Sequence, residues 1–220
     1  MPTIRVIHDE IDSLLAYLSD SAIALYISPV SMVQTRVSWH ANSGEFINGT
    51  DRRHTRLADY LYWVESGHYS AVLYDGALLQ LTYDVEGTKV VGHRLAYIPC
   101  PFELDPDLLL TDAIGDVVRM YAAAPGTEEL LLSGAIRFDY DAAAARPGHP
   151  ASHLTLSSAE CRIACHAPVR LGNFTDFIFR NFYTRLWRRH PYIESMPRTK
   201  WGARTITASE TERMHIAWRE

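Results

Sequence analysis

Apolar residues recur at helical spacing over residues 9–25, where Ile11, Leu14, Leu15 and Leu18 share one face. This predicts a first helix, and Pro29 bars its continuation. Residues 31–39 alternate instead, with Val33, Thr35, Val37 and Trp39 on one side, which predicts a strand. Residues 42–51 are rich in turn formers and predict an exposed loop. The helical period returns at 55–66 through Leu57, Leu61 and Val64, and Gly67 stands where a left-handed cap belongs.

The middle of the chain is the most strongly patterned. Residues 69–74 and 77–85 flank Asp75-Gly76, the pair a type I′ hairpin turn favours. Glu86-Gly87-Thr88 turns again, and 89–98 supplies a third strand, giving an antiparallel meander. Asp105-Pro106 starts a third helix that runs to about Tyr121 and stops at Pro125-Gly126. Residues 133–140 read as a strand, and 152–157 with 161–166 as a hairpin. Gly172-Asn173 opens a fourth helix, with Asn173 as its cap, Asp176 as the return acceptor, and Phe174, Ile178, Phe182 and Leu186 as its stripe. His190-Pro191 ends it, and the tail offers short strands at 203–207 and 215–218.

Strands outnumber helices and mostly follow one another by hairpins. The expected fold is therefore α+β: one domain over residues 1–220, with a largely antiparallel sheet (meander plus hairpin) packed with about four helices.

Composition narrows the class without changing that picture. The 220 residues are 47% hydrophobic and 21% charged, enough for a core of their own. Disordered, collagenous, coiled-coil and disulfide-scaffold chains are excluded. Charge is uneven: residues 1–160 carry 10 Lys/Arg against 21 Asp/Glu, and residues 161–220 carry 11 against 5. Lys89 and Lys200 are the only lysines, and arginine favours forked contacts to phosphate or carboxylate. Cys100, Cys161 and Cys165 make an odd count, the N-terminus has no apolar signal core, and no apolar run approaches ~20 residues. The expectation is a cytoplasmic protein with reduced thiols and no membrane span.

Gly-x-Gly, Gly-Lys-Ser/Thr, His-Glu-x-x-His and Gly-x-Ser-x-Gly are all absent, which removes several common enzyme classes. Chemistry concentrates between 137 and 153, where Arg137, Asp139, Tyr140, Asp141, His149 and His153 crowd together. On a strand, Arg137 and Asp139 point one way and Tyr140 the other. His93-Arg94 lies mid-strand and reads as solvent-facing.

Several stretches together resemble an uncharacterised bacterial family known as a domain of unknown function. They are the Asp75-Gly76 hairpin with Leu78-Leu79-Gln80-Leu81, and His93-Arg94-Leu95-Ala96-Tyr97-Ile98-Pro99. Phe138-Asp139-Tyr140-Asp141, His149-Pro150 through His153-Leu154, Cys161-Arg162-Ile163, and Phe177-Ile178 through Arg180-Asn181-Phe182-Tyr183 complete the set. The resemblance covers residues 60–190, leaves 191–220 as a C-terminal extension, and implies no activity. A looser likeness to small bacterial toxins, which have an Arg/Tyr/Asp strand before a His-rich loop, implies a toxin or phage-defence setting.

The leading chemical expectation is metal-independent cleavage of RNA, or binding of RNA or single-stranded nucleic acid, with no cofactor. His149 and His153 would act as base and acid, Arg137 would hold the phosphate, and Tyr140 would align the substrate or stack on a base. Arg180, Arg188, Asp141 and Thr155 would contact substrate. A sharper variant pairs His68-Tyr69-Ser70 with His153-Leu154-Thr155, similar to two-histidine phosphoesterases. Zinc on His149, His153, Cys161 and Cys165 is a second chemistry. The structural alternative gives His153 a buried carbonyl and Arg137 a nearby aspartate. A non-catalytic subunit that docks on a partner protein through the meander and the aromatic last helix is the rival function. A small-molecule site inside the curved sheet is the third.

Overall fold

The computed structural model describes residues 2–39, 56–127, 134–158 and 160–218. The turn-rich 42–51 segment lies outside the described residues. Among those described, nine strands form one open antiparallel sheet and eight helices surround it.

The first helix, α1 (Ile4–Asp20), buries Ile7, Ile11, Leu14, Leu15 and Leu18. It starts before the expected residue 9, because Thr3 caps it by accepting from the Val6 N–H. It also stops earlier. Ala22 turns left-handed at φ 53°, so the Ile23 N–H reaches the Leu18 carbonyl and the Ala22 N–H reaches that of Ser19. This is a Schellman ending made with alanine where glycine is usual. The chain then enters β1 (Ala24–Ile27). The single strand expected over 31–39 folds back on itself as β2 (Val30–Val33) and β3 (Arg36–Trp39), around Gln34 at φ 54°.

Helix α2 (Leu57–Glu65) leads into β4 (Ala71–Leu73), β5 (Leu78–Glu86) and β6 (Lys89–Ile98). The Asp75-Gly76 hairpin forms, but not as a two-residue turn. The Gly76 N–H bonds the Leu73 carbonyl and the Leu73 N–H bonds that of Ala77, with only Gly76 left-handed. That is a three-residue loop with a bulge at glycine. The third expected helix is two, α3 (Pro106–Thr111) and α4 (Ile114–Ala122), because Asp112 is extended at φ −119°, ψ 153°.

Strands β7 (Ile136–Asp141), β8 (Ser152–Leu156) and β9 (Arg162–Ala164) extend the meander. The fourth expected helix also splits at Tyr183, into α5 (Leu171–Phe182) and α6 (Thr184–Arg189). Arg170, not Asn173, occupies the cap position, and the Asn173 side chain donates to the Arg198 carbonyl instead. The tail makes α7 (Pro191–Ser195) and α8 (Ala208–Thr211) in place of two strands; only Ile216 pairs, by a parallel bridge to Cys165. The tail is packed onto the domain: Ile193 is fully buried and Trp201 lies edge-on to Tyr83 at 5.5 Å.

The sheet runs β1-β4-β5-β6-β7-β8-β9, with the β2–β3 hairpin joined to the far end of β5. Alternation then sorts the side chains. Leu79, Leu81, Leu95, Phe138 and Leu154 face α1 and α5 and pack on Ile11, Leu14, Phe174 and Ile178. Each such fully buried side chain contributes about 1.5–3 kcal/mol. On the opposite face, Val72, Leu78, Ala96 and Ile98 lie under α2 and α4, against Tyr60, Trp63, Val117 and Val118. The rest of that second face is polar. Among the described residues, no helix is long and apolar enough to cross a membrane.

Candidate functional site

Register assembles the polar face. Thr82, Arg94, Asp139 and His153 stand side by side across β5, β6, β7 and β8. One step along the strands, Ala96, Arg137, Thr155 and Arg162 form a parallel row across β6 to β9. One step the other way lie Asp84, Gly92 and Asp141. β3 adds Arg36, whose fork grips Asp84 at 2.8 and 3.1 Å, and Ser38, whose hydroxyl meets that of Thr82 at 2.8 Å. Arg36, Asp84, Arg94, Arg137, Asp139, His153 and Arg162 line a cleft of about 580 Å³, together with His149.

Asp139 is its electrostatic centre. One carboxylate oxygen accepts from Arg137 Nε at 2.5 Å, and the other from Arg94 Nε at 3.1 Å. Its carboxylate is 11% exposed. Burial pushes its pKa up, but the Arg137 and Arg94 guanidinia and His153 outweigh that and hold it below the usual carboxylate range.

His153 is buried and points Nδ1 at the Pro150 carbonyl, 2.8 Å away. A carbonyl only accepts, so Nδ1 has the proton and the Nε2 lone pair faces the cleft, 3.7 Å from Asp139. His149 stands over it, edge to face, with ring centroids 4.9 Å apart. A tight turn places it there: Arg146 and His149 exchange backbone hydrogen bonds, and Gly148 takes φ 77°. Burial lowers both imidazole pKa values, and the charge of Arg162 lowers both further. Asp139 acts the other way and favours the charged form, with His153 feeling it next after burial. Both rings are therefore neutral near pH 7.

Arg137, His149, His153, Asp141 and Thr155 thus share one face of the sheet. Tyr140 does not: its ring packs on the core side, 5.8 Å from His93. Arg180 and Arg188 are also elsewhere, since α5 and α6 pack on the opposite face. Arg180 pairs with Asp176 at 3.2 Å and lies over Trp187. The zinc set does not assemble. Cys165 pairs with Ser152 and sinks fully into the core, Cys161 is exposed, and the described residues hold no group of three metal-binding side chains. His68 packs its ring edge-on to Tyr62 of α2, away from His153.

Sequence reasoning misses Arg36, Asp84, Arg94 and Arg162, and makes His93-Arg94 solvent-facing. His93 is instead 4% exposed, accepts from the Val169 N–H through Nε2, and directs Nδ1–H at the Phe138 carbonyl. Its burial lowers its pKa to about 4. Alternation puts Arg94 on the face of Arg137 only once β6 and β7 are set in register, which no single strand reveals.

Neither the curated proteins nor the solved structures contain a match to the chain. The family match is much wider than the 60–190 stretch that the motifs suggest and takes in most of the tail. The model for the uncharacterized conserved protein family DUF2290 matches residues 22–218, and the chain belongs to that family.

Proposed function

We propose that this cleft binds RNA or another single-stranded nucleic acid and cleaves RNA at a phosphodiester without a metal ion. The observation behind it is the convergence of Arg137, His149 and His153 around Asp139 on an open polar face. Electrostatics divides the work between the imidazoles. His149, next to the Arg162 and Arg146 charges, resists protonation and acts as base on the 2′-hydroxyl. His153 faces Asp139, which stabilises its charged form, and so gives its proton to the leaving 5′-oxygen as the new P–O bond forms. Arg137 holds the non-bridging oxygens. A cytoplasmic toxin or phage-defence setting fits this activity.

Both imidazoles titrate below 6.5, so cleavage should be fastest on the acid side of that value. The test is a labelled RNA panel with chelator present. His153→Ala should slow cleavage about 10²–10⁴-fold, and His149→Ala similarly. Folded wild-type protein that leaves every RNA intact refutes the reading.

The rival reading, a non-catalytic subunit docked on a partner protein, has one supporting observation. On β2, which pairs only with β3 among the described residues, Met32 and Val33 are 47% and 53% exposed. The meander itself is covered, since β5 and β6 are interior strands. A partner complex lost in Met32→Asp/Val33→Asp, yet kept in His149→Ala/His153→Ala, would favour it.

A further inference from the structure

Three polar atoms around His153 are buried without a hydrogen-bond partner: Thr155 Oγ1, Arg162 Nε and His149 Nδ1. Leaving such atoms dry opposes folding. A single polar ligand with several acceptor oxygens can satisfy all three at once.

Register brings two of them together. Thr155 pairs with Arg137 on one side and Arg162 on the other, and it is 7% exposed. Arg137 is committed to Asp139 through Nε, while Arg162 makes no ion pair among the described residues. His149 completes the set, close enough for the Arg162 charge to act on it. One cation, one hydroxyl and one imidazole therefore stand ready for a single oxyanion.

The row also lies where the polar face runs into packed structure. Ala96, the cross-strand partner of Arg137, belongs to the apolar cluster under α2 and α4. A strand of nucleic acid passing through needs exits on both sides, whereas a chain end needs one.

We propose that Arg162, Thr155 and His149 form a subsite for a terminal phosphate, so that the cleft takes a nucleotide or oligonucleotide by its phosphorylated end. This rests on the nucleic-acid reading of the cleft. A terminal phosphate has close to two negative charges near neutral pH. Arg162 balances one of them. His149 stays neutral and donates its Nδ1–H to the bound phosphate, which keeps Nε2 available as the base.

The full chain is tested with a 2′-O-methylated oligonucleotide, which cannot be cleaved through its 2′-oxygen, in 5′-phosphate, 3′-phosphate and hydroxyl-ended forms, and with inorganic phosphate as competitor. One phosphate-ended form should bind about tenfold more tightly than the hydroxyl-ended form. Inorganic phosphate should displace it. Arg162→Gln should erase the preference, and so should Thr155→Val, which keeps the side-chain shape and folds even if the arginine variant does not. Equal binding of all ends, or a preference that survives both substitutions, overturns the proposal. Inorganic phosphate bound through Arg162 with no competing oligonucleotide end also overturns it, because the ligand is then free phosphate. A preference without RNA cleavage leaves the subsite standing and removes the catalytic reading; cleavage without a preference does the reverse.

Discussion

Replacing Asp139 by Asn removes the charge around which the polar face is organised. The carboxylate is 11% exposed and accepts from two guanidinia, on separate oxygens. Asn keeps one acceptor and turns an NH₂ towards the other arginine, so one charge-assisted bond is lost and two cations lose their shared counterion. Breaking a fully buried pair costs about 3–5 kcal/mol. Arg94 and Arg137 keep 22% and 27% of their side-chain surface, so water recovers part of that. The expected loss is about 2–3 kcal/mol, or roughly 4–12 °C in Tm for a chain of this size. The sign of the pH dependence follows from the depressed pKa of Asp139. Its contribution is complete above the unfolded carboxylate value of about 3.9 and is lost as pH falls through the lower folded value. Urea unfolding followed by circular dichroism, on both proteins from pH 7 into acid, reads this directly. A difference below about 0.5 kcal/mol at pH 7, or one unchanged down to acid, refutes Asp139 as the electrostatic centre of the face.

Further outcomes follow from groups outside that pair. His93 is neutral in the fold and its pKa drops from 6.5 to about 4, so the unfolded chain takes the proton first. Stability should be complete above pH 6.5 and fall by about 3 kcal/mol between 6.5 and 4. His149 and His153 add in the same direction. His93→Gln offers the Val169 N–H an acceptor and the Phe138 carbonyl a donor without titrating, and should flatten most of that slope in urea titrations. Gly172→Ala should destabilise although it replaces glycine in a helix, because the new methyl would collide with the Pro197 carbonyl. A loss of about 1–3 kcal/mol by thermal unfolding is expected, where open space would give a gain.

Much of the architecture can be read along the chain because it depends on local period and on residues with one backbone preference. Alternation identifies β5, β6 and β8, Pro106 marks the start of α3, and the Asp75-Gly76 pair marks a hairpin even though its loop has three residues. Where another residue type takes the left-handed position, as Ala22 and Gln34 do, nothing in the pattern signals the break, and the expected helix and strand run too long. The splits at Asp112 and Tyr183 are hidden for a related reason. Tyr183 leaves helical geometry where its hydroxyl reaches Asp75, which is 108 residues away.

The candidate site divides along the same line. That Arg137 and Asp139 share a face, with two histidines close by, is readable along the chain, since side chains on a strand alternate with period two. Which neighbouring strands bring their own residues to that face depends on pairing across the sheet. Pairing β6 with β7, and β8 with β9, placed Arg94 and Arg162 in the cleft, and α5 and α6, on the far side, took Arg180 and Arg188 away from it. A single strand specifies which residues point together, but the hydrogen-bond register between strands specifies which of them meet.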